Sequence, residues 1–115
     1  MLRGRAMAAV ERALELFPDL CDALSSRGFL RENSFDWSQA RADLERAVRL
    51  CPADADAWRR YGMLLHHLGR IEESIRAAER AVRLDPLDVR DFDELGNALV
   101  AAGDWMMPGR HMSAP

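Results

Sequence analysis

The chain contains no lysine and no apolar run that approaches the length of a membrane span. A transmembrane helix needs about 20 consecutive apolar residues, so we expect no membrane partner. The basic charge rests on arginine, and most arginines stand close to an acidic residue, as in Glu11-Arg12, within a formal net charge of −3. Because a nucleic-acid-binding protein more often shows a net basic patch, we expect no nucleic-acid partner.

Cysteine is also scarce. Cys21 and Cys51 are the only two, and they form neither a Cys-x-x-Cys pair nor a ligand set with a nearby histidine. We therefore interpret them as small packing residues in a reducing compartment. The first ten residues include Arg3 and Arg5 but no sustained hydrophobic stretch, which argues against a signal peptide. These features predict a cytoplasmic location.

The residue sets that carry catalysis are missing from the sequence. It has no evident Ser/His/Asp or Cys/His set, phosphate-binding loop or carboxylate pair in a plausible cleft. His66 and His67 would diverge by about 100° on a helix, so they cannot bind one metal ion together, and we expect them to face solvent. The sequence thus predicts a protein that is not an enzyme, with no catalytic residue, cofactor or metal.

A short sequence motif occurs three times along the chain. Copies that begin Glu-Arg-Ala and end Leu-x-Pro start at Glu11, Glu45 and Glu79, each 34 residues after the last. Alanine and leucine share one helical face in each copy, and the proline ends the helix because it cannot donate the next backbone hydrogen bond. A strict period in the range of 20–50 residues predicts a stacked array of repeats.

Apolar periodicity predicts six helices and no strand. The predicted helices cover about 5–16, 20–32, 36–50, 54–68, 71–84 and 88–102. Asp36, with Gln39 in a capping box, is the predicted N-cap of the third helix, and Asp88 that of the sixth. Gly69 is predicted to end the fourth helix in a left-handed conformation, and Gly103 to end the sixth.

The unit at 55–88 carries a signature. It reads Trp58-x₂-Tyr61-Gly62-x₂-Leu65, followed by Ser74, Ala78, Ala81 and Pro86. This pattern resembles the tetratricopeptide repeat, or TPR. The unit at 21–54 keeps Gly28 but has Arg27 and Arg31 at sites that are normally apolar, so looser packing is expected there. Phe35-Asp36-Trp37 is similar to repeat regions fused behind signalling domains in bacterial regulators, cyclases and kinases.

The resemblance implies an all-α fold, a right-handed α-solenoid of antiparallel helix pairs. The array would occupy 1–103, with a half repeat at 5–20, repeats at 21–54 and 55–88, a half repeat at 89–103, and an irregular tail at 104–115. Small residues would let neighbouring helices approach closely at Gly28, Gly62 and Gly96 and at Ala13, Ala47 and Ala81.

In the family that the chain resembles, the first helix of each pair lines a concave groove that holds a peptide. Carried over by position, the implied groove residues are Asp22, Ser25, Phe29, Glu32 and Asn33, then Asp56, Arg59, Met63, His66 and His67, then Arg90, Asp93, Asn97 and Val100. The face is polar, with an apolar centre at Phe29 and Met63 that suits peptide binding as well as plain packing.

Some family members clamp a C-terminal carboxylate in this groove. Arg59, Arg90 and Asn97 invite that comparison, but Phe29 and Met63 stand where asparagine would be needed. Taken singly, Arg59 and Arg90 are expected to be solvated surface charges. A row of second-helix arginines, each next to a glutamate, is instead expected to form a solubilising, salt-bridged outer face at Arg12, Arg46 and Arg80.

Each end of the array holds an unpaired helix. Apolar stripes should therefore be exposed at Val10, Ala13 and Leu14 and at Phe92, Leu95 and Leu99. The chain is then a fragment of a longer array, or copies associate end to end, or residues 104–108 fold back as a cap.

Two functions are open at this point. The first is a scaffold that binds a peptide or protein segment in the groove. The alternative is a non-catalytic repeat region or fragment of a larger signalling protein or enzyme, such as a regulator, kinase, cyclase or glycosyltransferase, with a structural or self-association role.

Overall fold

The computed structural model describes residues 2–103, with side chains from Gly4 onward. In this part of the chain six helices follow one another: α1 (Leu2–Leu16), α2 (Cys21–Asn33), α3 (Trp37–Leu50), α4 (Ala55–His67), α5 (Ile71–Leu84) and α6 (Val89–Ala101). The predicted helices are all confirmed, with bounds that differ by less than one turn. Within these residues, none of the helices combines the length and apolar character needed to traverse a bilayer.

The helices stack in pairs. α2 packs against α3 and α4 against α5, while α2, α4 and α6 also contact one another in succession. The first helices therefore form one continuous layer, and the predicted all-α solenoid of helix pairs is confirmed. The subdivision into repeats stays a prediction. The predicted tail at 104–115, including the cap at 104–108, lies outside the described residues.

Helix ends follow the predicted chemistry with one exception. Gly69 and Gly103 have φ of +79° and +84°, in the left-handed region that glycine tolerates. Asp88 caps α6, because its carboxylate accepts a hydrogen bond from the Arg90 N–H at 2.9 Å. Asp36 occupies the N-cap position of α3, as predicted, but its side chain makes no capping bond and its ψ of 73° departs from the extended backbone of an N-cap, so the predicted capping box is not formed.

Close helix approach is confirmed at two of the three glycines. A Cβ at Gly28 would lie 2.6 Å from Leu44 Cγ, and one at Gly62 would lie 3.4 Å from the Ser74 carbonyl oxygen. The Ser74 hydroxyl also donates to the Gly62 carbonyl at 3.0 Å. The prediction for Gly96 is wrong, because no helix follows α6 in the described part of the chain to occupy that side.

The two unusual arginines of α2 have a partner on α3. Arg27 donates through Nε and Nη2 to both Asp43 carboxylate oxygens at 3.0 and 2.9 Å, and Arg31 donates to Asp43 Oδ2 at 2.9 Å. The Asp43 side chain is only 6% exposed. The carboxylate of Asp43 thus holds the two arginines at sites where the repeat pattern normally has apolar residues. The looser packing that was expected at this point is not found.

The two cysteines form a disulfide bond, so their interpretation as reduced packing residues is wrong. The bond joins the start of α2 to the end of α3, with a Cα–Cα distance of 6.3 Å and a sequence separation of 30 residues. Antiparallel packing within the pair explains the contact, because α3 returns to the level at which α2 begins. The predicted cytoplasmic location stays a prediction, which a disulfide does not favour.

The predicted salt-bridged outer face is confirmed at Arg12 and Arg46, although neither pairs with the glutamate directly before it, and within residues 4–103 Arg80 forms no ion pair. Arg12 pairs with Glu15, Arg46 pairs with Asp19, and the Arg80 guanidinium lies 5.9 Å from the Trp58 ring centroid. Consecutive residues of a helix point in different directions, whereas residues three or four apart, or on a neighbouring element, can meet.

The two ends of the array differ in apolar exposure. At the N-terminal end Leu14 is buried, and Val10 and Ala13 pack against the same cluster, so the stripe predicted to be exposed there is covered by α2. At the other end Phe92 is 49% exposed, while Leu95 and Leu99 are half-buried.

Reduction of the Cys21–Cys51 bond should lower the free energy of unfolding by about 3 kcal/mol, because the bond closes a 30-residue loop in the unfolded chain. Urea unfolding with and without dithiothreitol measures the difference. The double variant Cys21→Ser/Cys51→Ser should not respond to the reductant. Equal unfolding midpoints for the unmodified chain under both conditions would contradict the prediction.

Asp43→Asn should destabilise the chain by about 3 kcal/mol, because two partly buried arginines lose their shared counter-charge. The triple variant Arg27→Leu/Arg31→Leu/Asp43→Leu should recover most of that loss, since apolar packing can replace the ion pairs. Chemical denaturation gives both values. Glu72→Gln, an exposed site on α5, is the control and should change stability by less than about 0.5 kcal/mol. A small loss for Asp43→Asn would argue against a structural role for this cluster.

Candidate functional site

The layer formed by α2, α4 and α6 carries two cavities on its surface. The α2–α4 cavity has a volume of about 290 Å³ and is lined by Asp22, Ser25, Ser26, Asp54, Asp56 and Arg60. The α4–α6 cavity has a volume of about 200 Å³ and is lined by Arg59, Met63, Arg90, Asp93, Glu94 and Asn97. The structure therefore brings eight of the fourteen predicted groove residues to these two cavities. The other six are Phe29, Glu32, Asn33, His66, His67 and Val100.

The Phe29 ring makes a cation–π contact with an arginine of α4. The ring is half-buried, and the Arg60 guanidinium lies 5.2 Å from its centroid. Arg60 Nη1 also lies 3.4 Å from the hydroxyl oxygens of Ser25 and Ser26. Burial, together with the nearby charge of Arg59, lowers the pKa of Arg60. This arginine is thus fixed on the wall of the α2–α4 cavity.

Arg59 is not a solvated surface charge, contrary to expectation. It is 8% exposed, Nη2 donates to Asp56 Oδ1 at 2.9 Å, and Nε lies 3.3 Å from Asp91 Oδ1. The hydrogen bond from Arg59 lowers the pKa of Asp56. Asp91 is fully buried, and neither of its carboxylate oxygens meets hydrogen-bond geometry with a partner in the described residues. The guanidinium is therefore occupied by the protein itself.

Arg90 is exposed, as expected, but it is also engaged. Its Nε and Nη2 donate to the two oxygens of Asp88 at 3.1 and 2.7 Å, and Nη2 lies 3.6 Å from Asp56. These bonds lower the pKa of Asp88 to about 2 and raise the pKa of Arg90. A carboxylate clamp built on Arg59 and Arg90 would have to displace these internal partners.

Acidic groups accumulate where α6 begins. Asp85, Asp88 and Asp91 each place a carboxylate oxygen within 4.8 Å of the others. Burial, then the neighbouring charge of Asp88, raises the pKa of Asp91. The guanidinium groups of Arg59 and Arg90 supply the counter-charge at this point.

The far end of the groove holds two glutamates and two histidines. Glu32 of α2 contacts His67 Nδ1 through Oε2, and Glu94 of α6 has an oxygen 4.0 Å from His66 Nδ1. The glutamates are 4% and 7% exposed. His67 is exposed, as expected, although it also contacts Glu32, whereas His66 is only partly exposed, because α4 lies between two helices that each present a carboxylate. We call Glu32, His66, His67 and Glu94 the Glu–His cluster.

Both glutamates of this cluster are harder to ionise than usual. The pKa of Glu94 is raised to about 7, chiefly by burial and also by the charges of Glu32 and Asp93, while His67 and Arg59 act in the opposite direction. Burial also raises the pKa of Glu32, against a smaller lowering by the hydrogen bond to His67. Glu32 Oε1 is buried and without a hydrogen-bond partner in the described residues.

Several residues of this surface were missed by the sequence reasoning. Glu94, Asp91 and Arg60 were not among the predicted groove residues. Arg59 and Asp91 belong to different repeats, so no local spacing signals their contact. A signal did exist for Glu94, because it lies four residues after Arg90 and therefore on a neighbouring part of the same helix face.

Stacked helix pairs with a shared layer of first helices place the chain among the α-helical solenoid proteins. A family model described as tetratricopeptide repeat matches residues 3–57, and a second model with the same description matches residues 32–89, which is half of the chain. The chain belongs to the tetratricopeptide repeat family. No curated protein sequence matches it.

Solved structures agree with this assignment. The first TPR domain of human RPAP3 aligns with a TM-score of 0.80 and 20% identity, over 89% of this chain and 80% of that one. The first TPR of Spaghetti (RPAP3), bound to the HSP90 peptide SRMEEVD, aligns with a TM-score of 0.78 and 21% identity, over 88% and 80%. A mutant O-GlcNAc transferase from Thermobaculum terrenum is 31% identical with a TM-score of 0.77, over 81% of this chain and 18% of that chain.

Glu94→Gln should stabilise the chain by about 2 kcal/mol at pH 8 and by much less at pH 5. The folded-state pKa of about 7 exceeds the ordinary value of 4.5, so the folded chain binds the proton more tightly and loses stability as pH rises between those values. Glutamine removes that loss. Denaturation curves at both pH values give the difference, with Glu72→Gln as control. A stabilisation that does not vary with pH would contradict the assignment to Glu94.

Proposed function

We propose that the chain is a protein-interaction scaffold that binds a peptide or protein segment along the shared face of α2, α4 and α6. The observation that carries the proposal is the pair of cavities on this face, which contain most of the groove residues implied by the TPR pattern. The bound HSP90 peptide in the structurally similar TPR of Spaghetti supports the same mode of binding here.

The proposed binding residues are those that the structure leaves available at the groove surface. Asp22 and Asp56 belong to the first cavity, and Met63, Asp93 and Asn97 to the second. Met63 supplies apolar area between polar neighbours. In such an arrangement the apolar contact contributes most of the binding energy, and the polar contacts fix the position of the peptide along the groove. Arg59 has a structural role in this proposal, because its partners Asp56 and Asp91 already surround it.

The proposal includes no catalytic residue. The alternative is that the chain forms a non-catalytic repeat region of a larger signalling protein or enzyme. The similarity to a small part of an O-GlcNAc transferase chain supports this alternative, and the two proposals are compatible because such a region can still bind a segment. End-to-end association of copies stays a prediction, consistent with the half-exposed Phe92 on α6.

Peptide display against the folded chain tests the groove directly. Selected peptides should bind the unmodified chain and should lose at least about tenfold in affinity to Asn97→Trp, because the indole fills the α4–α6 cavity from an exposed position. Fluorescence anisotropy measures the affinities. Arg59→Glu is unsuitable here, since it would break a buried ion pair.

The matched control is Glu72→Trp, which places the same side chain on the exposed face of α5. Peptides that bind both tryptophan variants as well as the unmodified chain would place the interaction elsewhere and contradict the proposal. Circular dichroism confirms that both variants are folded.

A further inference from the structure

The two buried carboxylates of the Glu–His cluster lack a full set of hydrogen-bond or ion-pair partners in the described part of the chain. Glu32 and Glu94 are both more than nine-tenths buried, on opposite sides of α4. Within residues 4–103, Glu94 receives no hydrogen bond, and its closest ion-pair partner is His66 at 4.0 Å. Glu32 Oε1 has no hydrogen-bond partner in the same range. Buried carboxylates are ordinarily paired or hydrogen-bonded, because desolvation of an unpaired charge is costly.

The two predicted groove arginines do not pair with Glu32 or Glu94, because they pair with aspartates instead. Arg59 is held by Asp56 and Asp91, and Arg90 is held by Asp88. In the described part of the chain, the two glutamates therefore have the imidazoles of His66 and His67 as their nearest ion-pair partners.

The surroundings of the cluster also favour a positive charge. Glu32 lies in the last turn of α2, and both histidines lie in the last turn of α4, where exposed carbonyl groups stabilise cations. Next to them, the Trp37 ring centroid lies 6.4 Å from that of His67, and the Phe35 ring lies 5.8 Å from Trp37. Phe35 is 75% exposed. Aromatic faces near carboxylates suit an alkyl chain that ends in a cation.

We propose that Glu32 and Glu94, with His66 and His67 between them, bind an arginine or lysine side chain from a basic partner segment. The proposal rests on the proposed function and names the chemistry of its ligand. Met63, Asp93 and Asn97 share the α4–α6 cavity with Glu94 and provide an apolar wall for the aliphatic stem and further oxygens for the charged end.

The charge of this groove is opposite to what an acidic peptide requires. The HSP90 peptide SRMEEVD seen with the TPR of Spaghetti ends in acidic residues and a carboxylate. Here the cations that could receive such a terminus are neutralised internally, and the free carboxylates would repel it. Charge complementarity therefore selects a basic segment.

Binding of the cation should depend on pH. Glu94 faces Glu32 from α2, His66, His67 and Arg59 from α4, and Asp93 on its own helix. A bound cation favours the ionised carboxylate, so affinity should rise about tenfold between pH 6 and pH 8 as Glu94 loses its proton. Single His66→Gln and His67→Gln variants test whether this pH dependence belongs to Glu94.

The experiment starts from peptides that bind the chain and lose affinity to Asn97→Trp. These groove-dependent peptides should be net basic, and replacement of one arginine or lysine by alanine should cost at least about tenfold in affinity. The same peptides should bind Glu94→Gln about tenfold more weakly at pH 8, with a smaller pH dependence, and Glu32→Gln should have a similar effect. Glu72→Gln, the same change on α5, should bind like the unmodified chain.

The two proposals fail in different ways. Recovery of groove-dependent peptides that are net acidic or neutral would overturn the cation site and leave the scaffold intact. Basic peptides whose affinity is unchanged in Glu94→Gln and Glu32→Gln would also overturn the cation site. A display experiment that yields only peptides insensitive to Asn97→Trp would overturn both.

Discussion

The close contact between the two helices of each pair is the constraint on which the structure depends. At Gly28 the space for a side chain is already filled by Leu44, and at Gly62 the backbone of α4 approaches α5 closely enough for Ser74 to donate to it. A methyl group at Gly28 would collide with Leu44, whereas one at Gly62 would just reach ordinary van der Waals contact with α5. Because the pairs close tightly, successive first helices reach one another and form a single layer, and the groove exists only as the surface of that layer.

Within this frame, charged residues take over contacts that apolar side chains usually make in a core. Asp43 joins Arg27 and Arg31, and Asp56 with Asp91 surrounds Arg59. Such buried groups stabilise the chain only as complete sets, since the loss of one member leaves an unpaired charge. Their consequence for the proposed binding is indirect, because arginines that are paired within the protein attract an anionic ligand less strongly.

In the Glu–His cluster, no arginine forms an ion pair with the buried carboxylates. Glu94 and Glu32 are buried without a full set of partners, and both have raised pKa values for that reason. Groups that reduce stability in the unbound state are typical of binding and catalytic sites, where a ligand supplies the missing interaction.

The sequence by itself determined the helices, their order and the repeat, because the 3.6-residue apolar period and the proline and glycine ends are local properties of the chain. It also placed most groove residues, such as Met63 and Asn97, on one helix face. The tertiary structure alone decided the Cys21–Cys51 bond, the burial of Arg59 and the meeting of Glu32 with His67. Those contacts join residues about one repeat apart, and only the stacking of helix pairs brings such residues together.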